Sequence, residues 1–118
     1  MGLMRNRNAP HIDFADLAGL MGKRVPSNVD MIMERRGRFL IGEWKRPNEK
    51  VSLGQQILLK ALAKVPKFTV LVIQGDTDDG MVVNRVWKVL PNEGFEIVAR
   101  SVDDFKQYLK QWDEDGNA

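Results

Sequence analysis

Apolar residues in the first part of the chain recur at spacings that predict a helix followed by a hairpin. Over residues 13–21 the spacing is helical, with Asp13 as a suitable N-cap and Gly22 at the end. The apolar positions of this predicted helix are Phe14, Leu17, Leu20 and Met21. Residues 29–35 and 38–45 have the composition of strands and flank Arg36-Gly37, so a β-hairpin is expected there.

The middle of the chain predicts a second helix and a buried strand. Ser52 is a good N-cap for a helix that runs to about Val65, and Pro66 ends it. The apolar stripe of that helix is expected at Ile57, Leu58, Ala61, Leu62 and Val65. Residues 68–73 form a continuous apolar run rich in β-branched residues, which is typical of a central strand.

The last part of the chain predicts two more strands and a closing helix. Residues 74–80 are expected to form a loop, in which turn formation explains the aspartates better than a calcium site does. Strands are predicted at 81–90 and 95–99, and Ser101 caps a helix with an apolar face at Val102, Phe105, Leu109 and Trp112. A mobile arm is expected over residues 1–12, and a frayed tail over 113–118.

This order of elements predicts an α/β fold with a single mixed β-sheet flanked by helices. The chain has 118 residues, 43% of them hydrophobic, so one domain spanning 1–118 is expected. No apolar run approaches the ~20 residues of a membrane span, and no apolar signal segment follows the first charges. The absence of cysteine excludes disulfides, a thiolate nucleophile and Cys-ligated zinc. The expected location is the cytoplasm.

Charge is distributed unevenly between the two parts of the chain. Residues 1–70 carry 13 Lys+Arg and 6 Asp+Glu, a net +7, while residues 71–118 carry 5 and 10, a net −5. A basic surface raises the local concentration of polyanions, so DNA or RNA is the indicated partner. The alternative is a solvated surface whose charges cluster only in sequence.

Candidate chemistry lies in the basic part of the chain, at Asp30 and in Gly42-Glu43-Trp44-Lys45. Alternation along a strand places Glu43 and Lys45 on one face and the Trp44 side chain on the other. Two carboxylates suit Mg²⁺ or Mn²⁺, and the Trp44 backbone carbonyl is a possible third oxygen ligand. Lys45 is expected to orient the attacking water or stabilise negative charge on a phosphate under attack.

Asn28-Val29-Asp30, the Glu43-Trp44-Lys45 strand and a following helix with Gln55 together resemble the PD-(D/E)xK nuclease superfamily, with Val29 in place of its proline. Segments 51–60 and 68–73 are most similar to its small branches, the virus-type replication-repair (VRR-Nuc) nucleases and archaeal-type Holliday junction resolvases. The resemblance implies a restriction-endonuclease-like core, Mg²⁺ or Mn²⁺ as cofactor, and a homodimer.

The resemblance also implies a role for each matching residue. Asp30 and Glu43 correspond to the metal carboxylates, with the Trp44 carbonyl as a further metal ligand, and Lys45 corresponds to the motif lysine. Gln55 corresponds to the helix glutamine of the site and is preferred over Gln56, because the apolar residues that follow must face the core. Asp13 or Asp16 matches the extra acid that some members carry on the first helix. The predicted catalytic residues are Asp30, Glu43, Lys45 and Gln55.

Five basic residues are predicted to contact nucleic acid: Arg35, Arg36, Arg38, Arg46 and Lys50. Those at the hairpin tip serve solubility equally well. The predicted function is a metal-dependent DNA endonuclease, with branched or junction DNA among its expected substrates. Two alternatives stay open, namely a non-catalytic nucleic-acid-binding module on the same scaffold and an interaction protein that uses exposed Trp and Met residues.

Overall fold

One mixed sheet with strand order β1-β2-β3-β4-β5 organises the computed structural model, which describes residues 15–17, 19–22, 29–92 and 94–116. Strands β2 and β3 are parallel, and all other neighbouring strands are antiparallel. The strands are Met31–Arg35 (β1), Arg38–Lys45 (β2), Phe68–Asp76 (β3), Val82–Val89 (β4) and Phe95–Ala99 (β5).

A two-residue turn joins β1 to β2, as the sequence predicted. Arg36 and Gly37 have φ values of 51° and 80°, as a type I′ hairpin turn requires. The Gly37 N–H donates to a Glu34 carboxylate oxygen at 2.7 Å, which ties the turn to the strand before it. The turn fixes the pairing of Met31 with Gly42 and of Arg35 with Arg38.

The connection between the parallel strands β2 and β3 contains helix α1, Leu53–Ala63. Ser52 caps it as predicted, because its hydroxyl accepts the Gln55 N–H at 3.2 Å. The predicted apolar stripe is wrong in part, since Leu59 and Ala63 are the buried residues and Ile57 is 62% exposed. Gln55 therefore lies on the buried face, because positions four apart share one side of a helix.

Helix α2, Val102–Asp115, packs on the opposite face of the sheet. Its buried Phe105 and Trp112 lie in one apolar cluster with residues from β2 to β5, whereas α1 joins a second cluster with Val70 and Val72. Neighbouring residues of β3 alternate between the two clusters, as the pleat of a strand requires. The fold is thus α/β, with a single mixed sheet flanked by helices; the restriction-endonuclease-like core stays a prediction.

The predicted first helix is wrong within the described residues. Ala15–Leu17 forms one 3₁₀ turn, and Gly19 and Gly22, both at positive φ, then form an isolated bridge. Leu20 is 73% exposed, so its apolar side chain finds no core to stabilise a helix. Asp13, Phe14 and the predicted arm over residues 1–12 lie outside the described residues.

Two other boundaries differ from the prediction. Strand β3 continues through Gln74 and Gly75 to Asp76, where a loop was expected, because a bulge at Gln74/Gly75 preserves its pairing with β4. Helix α2 includes Asp113 to Asp115, where a frayed tail was predicted, and Asp113 pairs with Arg35 at 3.3 Å. Neither helix is long and apolar enough to cross a membrane, as judged over the described residues.

Candidate active site

Asp30 and Glu43 meet because the β1–β2 register brings them side by side. Strands β1 and β2 are antiparallel and Met31 pairs with Gly42. Asp30, the residue before Met31, therefore lies opposite Glu43, the residue after Gly42. The Asp30 carboxylate accepts the Trp44 backbone N–H at 2.9 Å, which fixes it against β2. Two acids that are thirteen positions apart in the chain thus lie next to each other.

Glu43 is the buried member of this pair, with an exposed fraction of 8%. It pairs with Val72 of β3, a buried member of the apolar cluster on the α1 face of the sheet. Gln55 donates from Nε2 to Glu43 Oε1 at 2.8 Å, and Lys45 Nζ lies 3.7 Å from the same oxygen. We call Asp30, Glu43, Lys45 and Gln55 the Glu43 site.

The Gln55 side chain binds Glu43 and not the residue that caps its helix. Ser52 and Gln55 have the spacing of a capping box, in which the glutamine side chain returns to the N–H of the capping residue. Here the Ser52 half of the box is made, but the Gln55 amide extends to Glu43 instead. Helix α1 is thereby attached to the acid on β2 through a side chain that local capping alone would direct elsewhere.

The pKa of Glu43 is raised from its ordinary 4.5 to about 7, and burial of the carboxyl group is the largest cause. The negative charge of Asp30 and a hydrogen bond with that carboxyl contribute to the rise, whereas the Lys45 ammonium and the Gln55 amide oppose it. A carboxyl group that titrates near neutrality in contact with a second acid is a feature of functional sites.

The donor set fits a hard divalent cation that keeps part of its water shell. Mg²⁺ takes one or two protein carboxylates, and the N–H and C=O of a strand residue point to the same edge, so the Trp44 carbonyl faces the side of Asp30. A cation here would offset the cost of burying the Glu43 charge and its repulsion by Asp30, the two largest causes of the raised pKa. In the described part of the chain no three His, Cys, Asp or Glu residues come together as a metal-binding group, so Asp16 does not complete the pair.

A cleft of about 500 Å³ opens beside the site, at the carboxyl ends of the parallel strands β2 and β3. Ligands commonly bind at this edge of α/β sheets. Asp30, Lys45 and Arg46 line the cleft together with Asp76, the last residue of β3. The prediction of a loop over residues 74–80 explains Asp76 by turn formation and does not include it in the site. Its position at the end of a strand parallel to β2 is the signal that places it at this cleft.

Three of the predicted nucleic-acid contacts are engaged within the protein. Arg35 pairs with Asp113 at 3.3 Å, and Arg46 binds both carboxylate oxygens of Asp78 at 2.5 and 3.0 Å. Arg38 lies over the Trp112 ring, with its guanidinium carbon 4.8 Å from the ring centroid, and donates to the Trp112 carbonyl at 3.0 Å. All three side chains thus make contacts within the protein, and their contacts with nucleic acid stay predictions.

Arg36 and Lys50 are the other two predicted contacts, and both are exposed. Arg36 is at the tip of the hairpin, and Lys50 lines a hollow beside α1. Gln56, the neighbour of Gln55, donates to the Val51 carbonyl at 3.0 Å, and it is Gln55 that binds Glu43.

Comparisons with protein-family models, with curated proteins and with solved structures find no match for this chain.

Proposed function

We propose that this protein is a metal-dependent endonuclease that hydrolyses phosphodiester bonds in DNA. The observation that carries the proposal is the convergence of Asp30, Glu43, Lys45 and Gln55, residues selected by sequence resemblance, around one buried carboxylate. The cleft beside them supports it, because an extended substrate needs an open approach to the reacting groups.

Asp30, Glu43 and the Trp44 carbonyl would hold Mg²⁺ or Mn²⁺. The bound metal would supply a more acidic water and positive charge for the phosphate. Lys45, whose ammonium is close to Glu43 and lines the cleft, donates to the attacking water or to a non-bridging phosphate oxygen. Gln55 keeps one oxygen of Glu43 in place through its amide, and the Trp44 N–H does the same for Asp30.

Cleavage assays with site variants test this function. Wild-type protein is expected to cut duplex, single-stranded or branched DNA in Mg²⁺ or Mn²⁺, and Glu43→Ala and Lys45→Ala are each expected to lose at least about 100-fold in rate. Glu34→Gln is the matched control, because it changes an exposed carboxylate on the neighbouring strand. Equal cleavage by wild type and both site variants, or none by wild type on any substrate, would contradict the proposal.

A DNA-binding measurement on the same variants separates the alternative function from the proposed one. A non-catalytic module on this scaffold would bind DNA in a salt-dependent way without metal, and Glu43→Ala would leave that binding intact while no preparation cleaves. Branched DNA as the preferred substrate, homodimer formation and location in the cytoplasm stay predictions from the sequence, and light scattering on the purified protein checks the homodimer.

A further inference from the structure

A concave surface on the α1 face of the sheet lies next to the Glu43 site. One hollow, of about 410 Å³, lies between α1 and strand β5, and another, of about 340 Å³, extends from it to Lys45. The two hollows share Val51, Val72 and Phe95 as lining residues, so they form one continuous depression, which we call the aromatic groove. Its size is within the range of small-molecule pockets.

Aromatic side chains are available in this groove because α1 covers only part of the sheet. The helix buries Leu59 and Ala63 against the centre of the sheet and leaves the face of β5 open. Phe95 is consequently 54% exposed, and Trp87 is half-buried beside it. A Phe ring this exposed at the rim of a groove offers a flat apolar surface to a ligand.

Basic residues surround the aromatic groove. Lys50 and Lys60 line the hollow next to α1, and Lys45 lines the hollow next to the Glu43 site. Among the described residues, Glu49 is the one acid that lines the groove. Arg85 lies over the Trp87 ring at 5.8 Å from its centroid. Flat apolar surfaces bordered by cations are the chemistry with which proteins hold unpaired nucleotides, whose bases stack on the rings while phosphates meet the ammonium groups.

We propose that the aromatic groove binds an unpaired nucleotide of a DNA substrate, with the base against Phe95 and Trp87 and the chain continuing past Lys45 to the Glu43 site. This inference deepens the proposed function and rests on it for the position of the scissile phosphate. A fully paired duplex keeps its bases stacked within the helix and has none to place in the groove. The protein therefore distinguishes DNA with single-stranded segments from continuous duplex.

Binding without divalent metal tests the groove independently of cleavage. Fluorescence anisotropy in EDTA, with labelled DNA that carries a single-stranded branch and with a matched duplex, is measured for wild type, Phe95→Ala and Phe95→Leu. Both variants are expected to bind the branched DNA about 10-fold more weakly, because a stacking surface is lost, and the duplex with unchanged affinity. Phe95→Leu preserves most of the apolar contact with the protein and so guards against misfolding.

Ile97→Ala is the matched control, since Ile97 lies two residues along β5, is 40% exposed and does not line the groove. Its affinities should equal those of wild type. The inference is overturned if the Phe95 variants bind branched DNA as wild type does, if they lose duplex binding equally, or if Ile97→Ala is equally impaired. If Glu43→Ala loses cleavage while the Phe95 variants bind branched DNA as wild type does, this inference fails and the proposed function stands. If wild type cleaves no DNA while the Phe95 variants show the expected binding pattern, the proposed function fails and the groove stands.

Discussion

The charged form of Glu43 is unfavourable in the folded protein, and binding a proton or a cation would remove this cost. Its carboxyl group is buried beside Asp30, and its pKa of about 7 in the folded state exceeds the ordinary 4.5. The folded protein therefore binds this proton more tightly than the unfolded chain does. Stabilisation from this source is fully present below pH 4.5 and is lost as the pH rises to about 7.

We predict that Glu43→Gln removes most of this pH dependence. In EDTA, wild type should lose up to about 3 kcal/mol more unfolding free energy than the variant between pH 5 and pH 8. Urea denaturation at the two pH values measures the difference, with Glu34→Gln expected to follow wild type. Parallel losses in wild type and Glu43→Gln would mean that the carboxyl group is not perturbed in this way.

Arg38 illustrates how a residue predicted to bind nucleic acid can be required by the fold. Its stacking on Trp112 and its hydrogen bond to the Trp112 carbonyl join the start of β2 to the end of α2. Arg38→Ala should lower the free energy of unfolding by about 1–3 kcal/mol. Arg36→Asn, in the turn where Asn tolerates positive φ, should leave stability within about 0.5 kcal/mol of wild type.

Thermal denaturation monitored by circular dichroism compares these two variants. If Arg36→Asn is as destabilising as Arg38→Ala, the contacts of Arg38 with Trp112 do not contribute the predicted stability.

At the scale of elements, the bulge in β3 requires a glycine. A Cβ atom at Gly75 would collide with the Val82 backbone on β4, at the point where the register shifts. Gly75→Ala should therefore cost about 1–3 kcal/mol or more, because the backbone of either strand must move. Gly54→Ala in α1 is the control, since no atom lies within 4 Å of the new methyl group and helix propensity improves. Chemical denaturation of both variants tests the contrast, and equal stability would refute it.

Local chemistry explains which elements could be predicted from the sequence. The hairpin follows from Arg36-Gly37, and α2 follows from Ser101 and one unbroken apolar stripe. Helix α1 is apolar on nearly all sides, so its pattern is compatible with more than one buried face, and packing against β3 selects the face of Leu59 and Ala63. The first predicted helix failed because its apolar stripe has no core to cover within the described residues.

The residues around Glu43 could be predicted from the sequence, whereas the ion pairs of the surrounding arginines could not. Glu43, Lys45 and Gln55 are close in sequence, and strand alternation with one helical turn suffices to bring them together. Arg46 and Asp78 are 32 positions apart, and neither their pairing nor the contact of Arg35 with Asp113 leaves a pattern in a single sequence. Three of the arginines predicted to bind nucleic acid therefore make contacts within the protein that no sequence pattern indicates.

At the scale of the whole molecule, the acidic pair and the aromatic groove lie on the same side of the sheet, and Lys45 borders both. Helix α2 and the apolar cluster that contains Phe105 and Trp112 occupy the opposite face. The polar residues at the centre of the site accordingly come from the position before β1, from β2 and from α1.

Titration of the protein with Mn²⁺ by calorimetry tests most directly whether Asp30 and Glu43 form a metal site. At pH 8 we predict one site per chain, lost in Glu43→Gln and retained in Glu34→Gln. Affinity should fall and proton release should appear at pH 6, because Mn²⁺ then competes with the proton on a carboxyl group with a pKa of about 7. An isotherm for Glu43→Gln identical to that of wild type, or no binding by wild type at millimolar Mn²⁺, would contradict the account.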